Sequence, residues 1–260
     1  MPTRQSDTLV AAQWLAANRG QIDISPIDHT YLIYCQKTGN KGSGWLVSSG
    51  ELLTNEHVVK GEEAGGIVAI SSSGAQVRMR KCVVDPQRDL AALVPMEKIG
   101  GGLSLNSSED PKIGERVHAW GFPFDHIGPI PLFLEGCLSG FRSHNGQKRY
   151  IVNGAFNPGN SGGPLFRSGS NDVIGVVVAK RNFILPPFFE SALDAMEKNS
   201  TGVVYTAKDG QGNSRNFVES QIVAELLRFY RTQTQVMLGE AIATSEVVAF
   251  LKEAAQHLTK

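Results

Sequence analysis

The feature that most restricts the fold is a long succession of short β-type runs. Between about residue 27 and residue 207, stretches rich in Val, Ile, Leu and Tyr alternate with Gly, Pro, Asn and Ser. Strand-like runs fall at 31–35, 44–47, 67–70, 77–84, 90–94, 116–120, 132–139, 150–153 and 173–179. No helical pattern separates one run from the next, so alternating βαβ units are excluded and a sandwich or barrels are expected. Glycine supports this: 28 of 260 residues is well above the usual share of about 7%, as many turns require. Gly100-Gly101-Gly102, followed by residues 106–111, marks the best internal boundary and gives two β lobes of similar length.

The two ends differ. Residues 7–18 have the spacing of a short helix, with Ser6 as N-cap and residues 18–20 as a stop. Helical spacing returns at 218–236, through Ile222, Val223, Leu226, Leu227 and Tyr230. It recurs at 240–258, through Val247, Val248, Leu251, Ala254, Ala255 and Leu258, with Gly239 between the two. The expected organisation is therefore an N-terminal helical extension at 1–23, a first β lobe at 24–108, a second at 109–207 and C-terminal helices at 208–260.

Charge and cysteine usage narrow the function. Lys+Arg and Asp+Glu both number 25, so the net charge is zero. That argues against nucleic acid as a partner and against an electrostatic hold on a membrane. The longest apolar run, 173–179, is seven residues with a glycine inside, too short for a span. The opening residues show no secretory apolar region. Cys35, Cys82 and Cys137 are an odd number with no CxxC spacing, which predicts buried free thiols in a reducing, cytoplasmic setting. His29, His118, His126, His144 and His257 are scattered and form no HExxH, so neither a metal nor a cofactor is expected.

Chemistry concentrates at Asn157-Pro158-Gly159-Asn160-Ser161-Gly162-Gly163-Pro164-Leu165. Glycines on both sides of a serine let the backbone turn tightly and display the hydroxyl. The amides of Gly159 and Ser161 can then face a developing oxyanion. A plain turn would have the same composition, but two other segments raise the significance of this one. Residues 42–59 run strand, turn, strand into Thr54-Asn55-Glu56-His57-Val58-Val59, and Asp89 opens the apolar run 90–94. Base, orienter and nucleophile are all present. Asp85 lies four residues before Asp89, but Asp85-Pro86 has turn chemistry whereas Asp89 begins the strand. The same serine segment fits the G-x-S-x-G elbow of α/β-hydrolases. That elbow needs a helix directly after the serine, which Gly162-Gly163-Pro164 opposes.

In these blocks the sequence resembles trypsin-like serine proteases of the two-barrel chymotrypsin fold, nearest to HtrA/Deg-type protease domains. The matching patterns are residues 54–59, Asp89-Leu90-Ala91-Ala92-Leu93, residues 120–124 and residues 159–165. The resemblance covers about residues 30–206 and includes no PDZ domain. It implies a mainly β fold of two six-stranded antiparallel barrels. It also implies a peptide-bond hydrolase with His57 as general base, Asp89 as its orienter and Ser161 as nucleophile. Gly159 and Ser161 would supply the oxyanion-hole amides. Ala155 would form the base of the substrate pocket, with Phe156, Val178 and Ala179 on its walls. Asn160 stands where secreted digestive enzymes carry an aspartate, so activation by N-terminal clipping is not expected.

The last barrel strand is expected at 201–206, and residues 180–200 as an insertion beside the cleft. The implied partner is a polypeptide substrate, with regulation by a partner protein or by homo-oligomerisation acting on that insertion. A degenerate protease fold serving as a binding module is the alternative, distinguished by the loss of a triad member, and none is lost here.

Overall fold

The computed structural model describes residues 23–105, 109–123, 126, 128–178, 187–233 and 238–258, with isolated positions before 23. The helix expected at 7–18 lies outside them apart from positions 13 and 17. Six strands close the first barrel: β1 Thr30–Cys35, β2 Lys41–Leu46, β3 Leu52–Thr54, β4 Ile67–Ile70, β5 Gln76–Asp85 and β6 Leu90–Pro95. They pair antiparallel in the order β1-β2-β3-β6-β5-β4. Closure removes free strand edges and encloses Ile33, Leu46, Leu52, Ile67, Met79 and Leu93.

The second barrel takes β7 Arg116–Gly121, β8 Leu132–His144, β9 Gln147–Asn153, β10 Pro164–Arg167, β11 Val173–Val178 and β14 Leu238–Ala243. Its order is β10-β11-β14-β9-β8-β7. Asn145 and Gly146 join β8 to β9 with φ of 52° and 82°, the two left-handed residues of a tight hairpin turn. Tyr150, Val152, Leu165, Val177 and Ala241 form its core.

A third cluster lies between the barrels, where Trp45, Leu53 and Leu90 meet Trp120, Phe166 and Val176. The linker contributes too. Leu103 exchanges backbone bonds with Leu46 and Ser48 of one barrel, and the Ser104 carbonyl accepts from Val173 of the other. Helix α4, Thr244–Leu258, follows β14 directly and packs Val247, Phe250 and Ala254 into this seam.

Here the structure corrects the sequence reading. Residues 201–206 do not supply the last barrel strand, and 240–258 is not one helix. The last strand is β14, drawn from 238–243 and paired with β11 and β9. Its residues, Leu-Gly-Glu-Ala-Ile-Ala, fit helical spacing as well as strand spacing, and pairing with two neighbours decides between them.

Residues 181–236 form a separate compact unit. It contains α2 Pro187–Lys198, the hairpin of β12 Val204–Lys208 with β13 Ser214–Val218, and α3 Glu219–Gln233. Buried Leu193 and Ala224 and the pairs of Arg228 with Asp194 and Glu197 hold α2 and α3 together. The insertion is thus the whole of 181–236 rather than 180–200, and it interrupts the second barrel between its neighbouring strands β11 and β14.

Candidate active site

His57 sits on α1, the single turn Glu56–Val59 that follows β3. Cys35 anchors that turn by donating its thiol to the Val58 carbonyl at 3.4 Å. The imidazole Nδ1 lies 3.0 and 2.9 Å from the two carboxylate oxygens of Asp89. The His57 backbone N–H donates to the same carboxylate at 3.0 Å. Asp89 therefore fixes both the ring and the main chain beneath it. His57 remains 46% exposed, open to a substrate, while Asp89 is 22% exposed.

Asp89 is one of two described non-glycine residues with positive φ, at 58°. Such a backbone costs energy unless its surroundings enforce it. Enforcement comes from Asn55, whose side-chain N–H donates to the Asp89 carbonyl at 2.9 Å. Asp85 has a different task. Its carboxylate accepts from the amides of Gln87 and Arg88 and from the Arg88 guanidinium at 2.9, 3.0 and 2.6 Å. It builds the turn that delivers Asp89. Burial would raise the Asp85 pKa, but these donors outweigh burial and hold it below the usual carboxylate value.

Ser161 is 3% exposed, on the loop between β9 and β10. Ser43 of β2 docks that loop onto the first barrel. Its N–H donates to the Ser161 carbonyl at 2.7 Å, and its hydroxyl donates to the Gly159 carbonyl at 2.7 Å. The same hydroxyl accepts from the Phe122 amide at 3.0 Å. A Cβ on neighbouring Gly42 would meet Val58 at 2.6 Å and the Ser161 carbonyl at 3.1 Å. The Ser161 loop and the His57 turn therefore close on one glycine. Within the loop, Gly159 and Gly162 have φ of 97° and 87°. The Asn160, Gly162 and Gly163 amides bond to Asn157, Val177 and Asn160 carbonyls.

The expected pocket residues divide. Ala155 and Val178 are half-buried, and Ala179 lies outside the described residues. Phe156 is 1% exposed and belongs to the second-barrel core, with Gly239 of β14 lying against its ring. Among the described residues no cluster of His, Cys, Asp and Glu could hold a metal.

Residues 42–176 match the family described as the trypsin-like peptidase domain, and the chain belongs to it. A relative from Halomonas elongata, named probable periplasmic serine endoprotease DegP-like, is 34% identical over 142 residues. That match covers 52% of this chain and 28% of the relative. A Sinorhizobium fredii protein named uncharacterized protein y4bJ is 34% identical over 164 residues, covering 60% of this chain and 25% of its own length. This chain thus spans about a quarter of the curated relatives it matches. The solved HtrA-type protease AlgW with tripeptide has the same fold, with a TM-score of 0.60 at 21% identity, covering 89% of this chain and 61% of that one.

Proposed function

We propose that this chain is a serine endopeptidase that cleaves polypeptides through an acyl-enzyme on Ser161. The observation that carries the reading is the triple hold of Asp89 on His57, through two contacts to Nδ1 and one to the backbone N–H. With Nδ1–H held by Asp89, the free Nε2 is the basic nitrogen. It takes the Ser161 hydroxyl proton as the oxygen attacks the scissile carbonyl carbon. The tetrahedral oxyanion is received by the amides of Gly159 and Ser161. His57 then gives the proton to the leaving amine. Water repeats the sequence and releases the acid.

Small or medium aliphatic residues (Val, Ala, Leu, Ile) are the preferred side chains before the cut bond. Ala155 offers no carboxylate to pair a bound Arg or Lys, and an unpaired cation is costly to desolvate. The three cysteines are free, which supports a reducing, cytoplasmic compartment, although DegP-like relatives carry "periplasmic" in their names. No described helix is long and apolar enough to cross a membrane. Regulation by a partner protein or by self-association is assigned to the inserted unit. Its α3 presents Val223, Leu226, Leu227 and Tyr230, spaced along one face and each 43–65% exposed.

The test is a fluorophosphonate reporter, which labels only an activated serine. Labelling of the intact chain, lost in Ser161→Ala and His57→Ala, is expected. A folded but unlabelled protein would favour the binding-module alternative. A peptide library cut mainly after Arg or Lys would overturn the specificity.

A further inference from the structure

The turn that delivers Asp89 is gripped from the second barrel. Arg149 lies on β9 and is 3% exposed. Its Nη2 donates to the Arg88 carbonyl at 2.9 Å. That carbonyl belongs to the peptide immediately before Asp89, so holding it fixes the rotation that sets φ at 58°. Asn55 holds the Asp89 carbonyl on the other side. The Asp89 backbone is therefore clamped between a donor from each barrel, and from it the carboxylate meets His57.

The electrostatics agree. Arg149 faces Asp89, Glu240 and Glu246, with Arg142 as the like charge; burial opposes its charge, and Asp89 heads the influences that favour it. Its Nε and Nη1 are buried without a hydrogen-bond partner among the described residues. A guanidinium tolerates such a place where surrounding carboxylates compensate. Arg142 pairs with Glu240 at 3.0 Å. The Arg88 side chain is held by Glu253 of α4 at 2.8 Å and lies 3.5 Å from Glu246. The Arg88 side of the peptide is thus tied to β9 and α4, and the Asp89 side to Asn55.

We propose that Arg149 is a positioning residue for catalysis, which clamps the Arg88–Asp89 peptide from the second barrel. The inference rests on the protease reading above, in which Asp89 orients His57. It explains how the second barrel, which brings the serine, also sets the geometry of the base in the first.

A double-mutant cycle on the full chain tests it, with rates taken per active site titrated by fluorophosphonate and a small peptide amide as substrate. Arg149→Met should lower kcat about 10–100-fold and leave KM within about threefold, because the loss falls on the transition state. In an Asp89→Asn background the same change should cost less than about threefold, since the group it acts through is already gone. Arg149→Lys, which keeps charge and reach, should restore part of the rate. A lowered melting temperature with unchanged kcat per site would overturn the proposal, and so would an undiminished penalty in the Asp89→Asn background. If Arg149→Met fails to fold, Arg149→Lys carries the same cycle with the same two criteria and a smaller expected loss of about 2–10-fold. Full turnover by Asp89→Asn alone would instead remove the triad reading, a distinguishable result.

Discussion

Ser43 carries more of the site than its size suggests, because one hydroxyl joins two loops of the second barrel. Its oxygen donates to Gly159 and accepts from Phe122, and it is fully buried. Ser43→Ala leaves a carbonyl and an amide without that partner, each costing about 1–3 kcal/mol. The expected outcome is a melting temperature lower by several degrees and a clear fall in fluorophosphonate labelling rate. Unchanged labelling would mean that the Gly159 loop holds its shape alone. The cysteines give a second check at this scale. Burial pushes the thiols of Cys35 and Cys82 up to about 11, so both are almost wholly protonated at neutral pH. Alkylation by iodoacetamide at pH 7.5 should be slow at these two positions in the native chain and fast after denaturation. Equal rates in the two states would show that they are open in solution.

Turns rather than strands determine the site at the scale of elements. The turn from β5 to β6 is held by Asp85, whose pKa lies below the usual carboxylate value in the folded chain. A depressed folded-state pKa means that its contribution is fully present above the unfolded carboxylate value near 4. It is lost as pH falls through the folded value. Asp85→Asn should therefore lower stability at neutral pH and flatten the acid limb of a denaturation profile measured between about pH 5 and 2. An unchanged acid limb would show that this carboxylate is not a linkage group. The serine turn is stricter. A side chain at Gly162 would run into the Ser43 carbonyl and the Thr54 hydroxyl, at a φ of 87°. Gly162→Ala should abolish labelling and lower the melting temperature, and a fully labelled variant would contradict this close packing.

For the whole molecule, the chain reaches its final barrel strand only after the inserted unit. Ending the chain at residue 237 would remove β14 and α4 together, and with them Ile242, Val247 and Phe250 from the seam. Each such side chain is worth about 1.5–3 kcal/mol, against a total stability of about 5–15 kcal/mol. That truncation should not fold. Replacing 181–236 by a short Gly/Ser linker should succeed, because Val178 and Glu240 stand opposite each other on paired strands. The excised form should keep cooperative melting and serine labelling. Loss of both would show that the unit is part of the barrel's stability, contrary to its compact separation.

What the sequence determined alone was whatever local chemistry dictates. Alternating short runs and glycine turns pointed to two β lobes, sandwich or barrel, and Ile67–Ile70 appears as a strand where its apolar run lies. The three blocks around His57, Asp89 and Ser161 were legible because each needs particular residue types at fixed spacing. The tertiary structure decided what depends on distant neighbours. Residues 238–243 became a strand because β9 and β11 offered unpaired edges on both sides, and no local signal carries that. The Gly42-Ser43-Gly44 spacing could have marked Ser43, since a small polar residue between glycines suits a close backbone approach. Arg149 had no such mark. A cation in Gln147-Lys148-Arg149 has the pattern of a solvated strand, and only the fold shows it buried. It stays buried because the carboxylates that compensate its charge lie about 60 to 100 residues away along the chain, a separation that only folding closes.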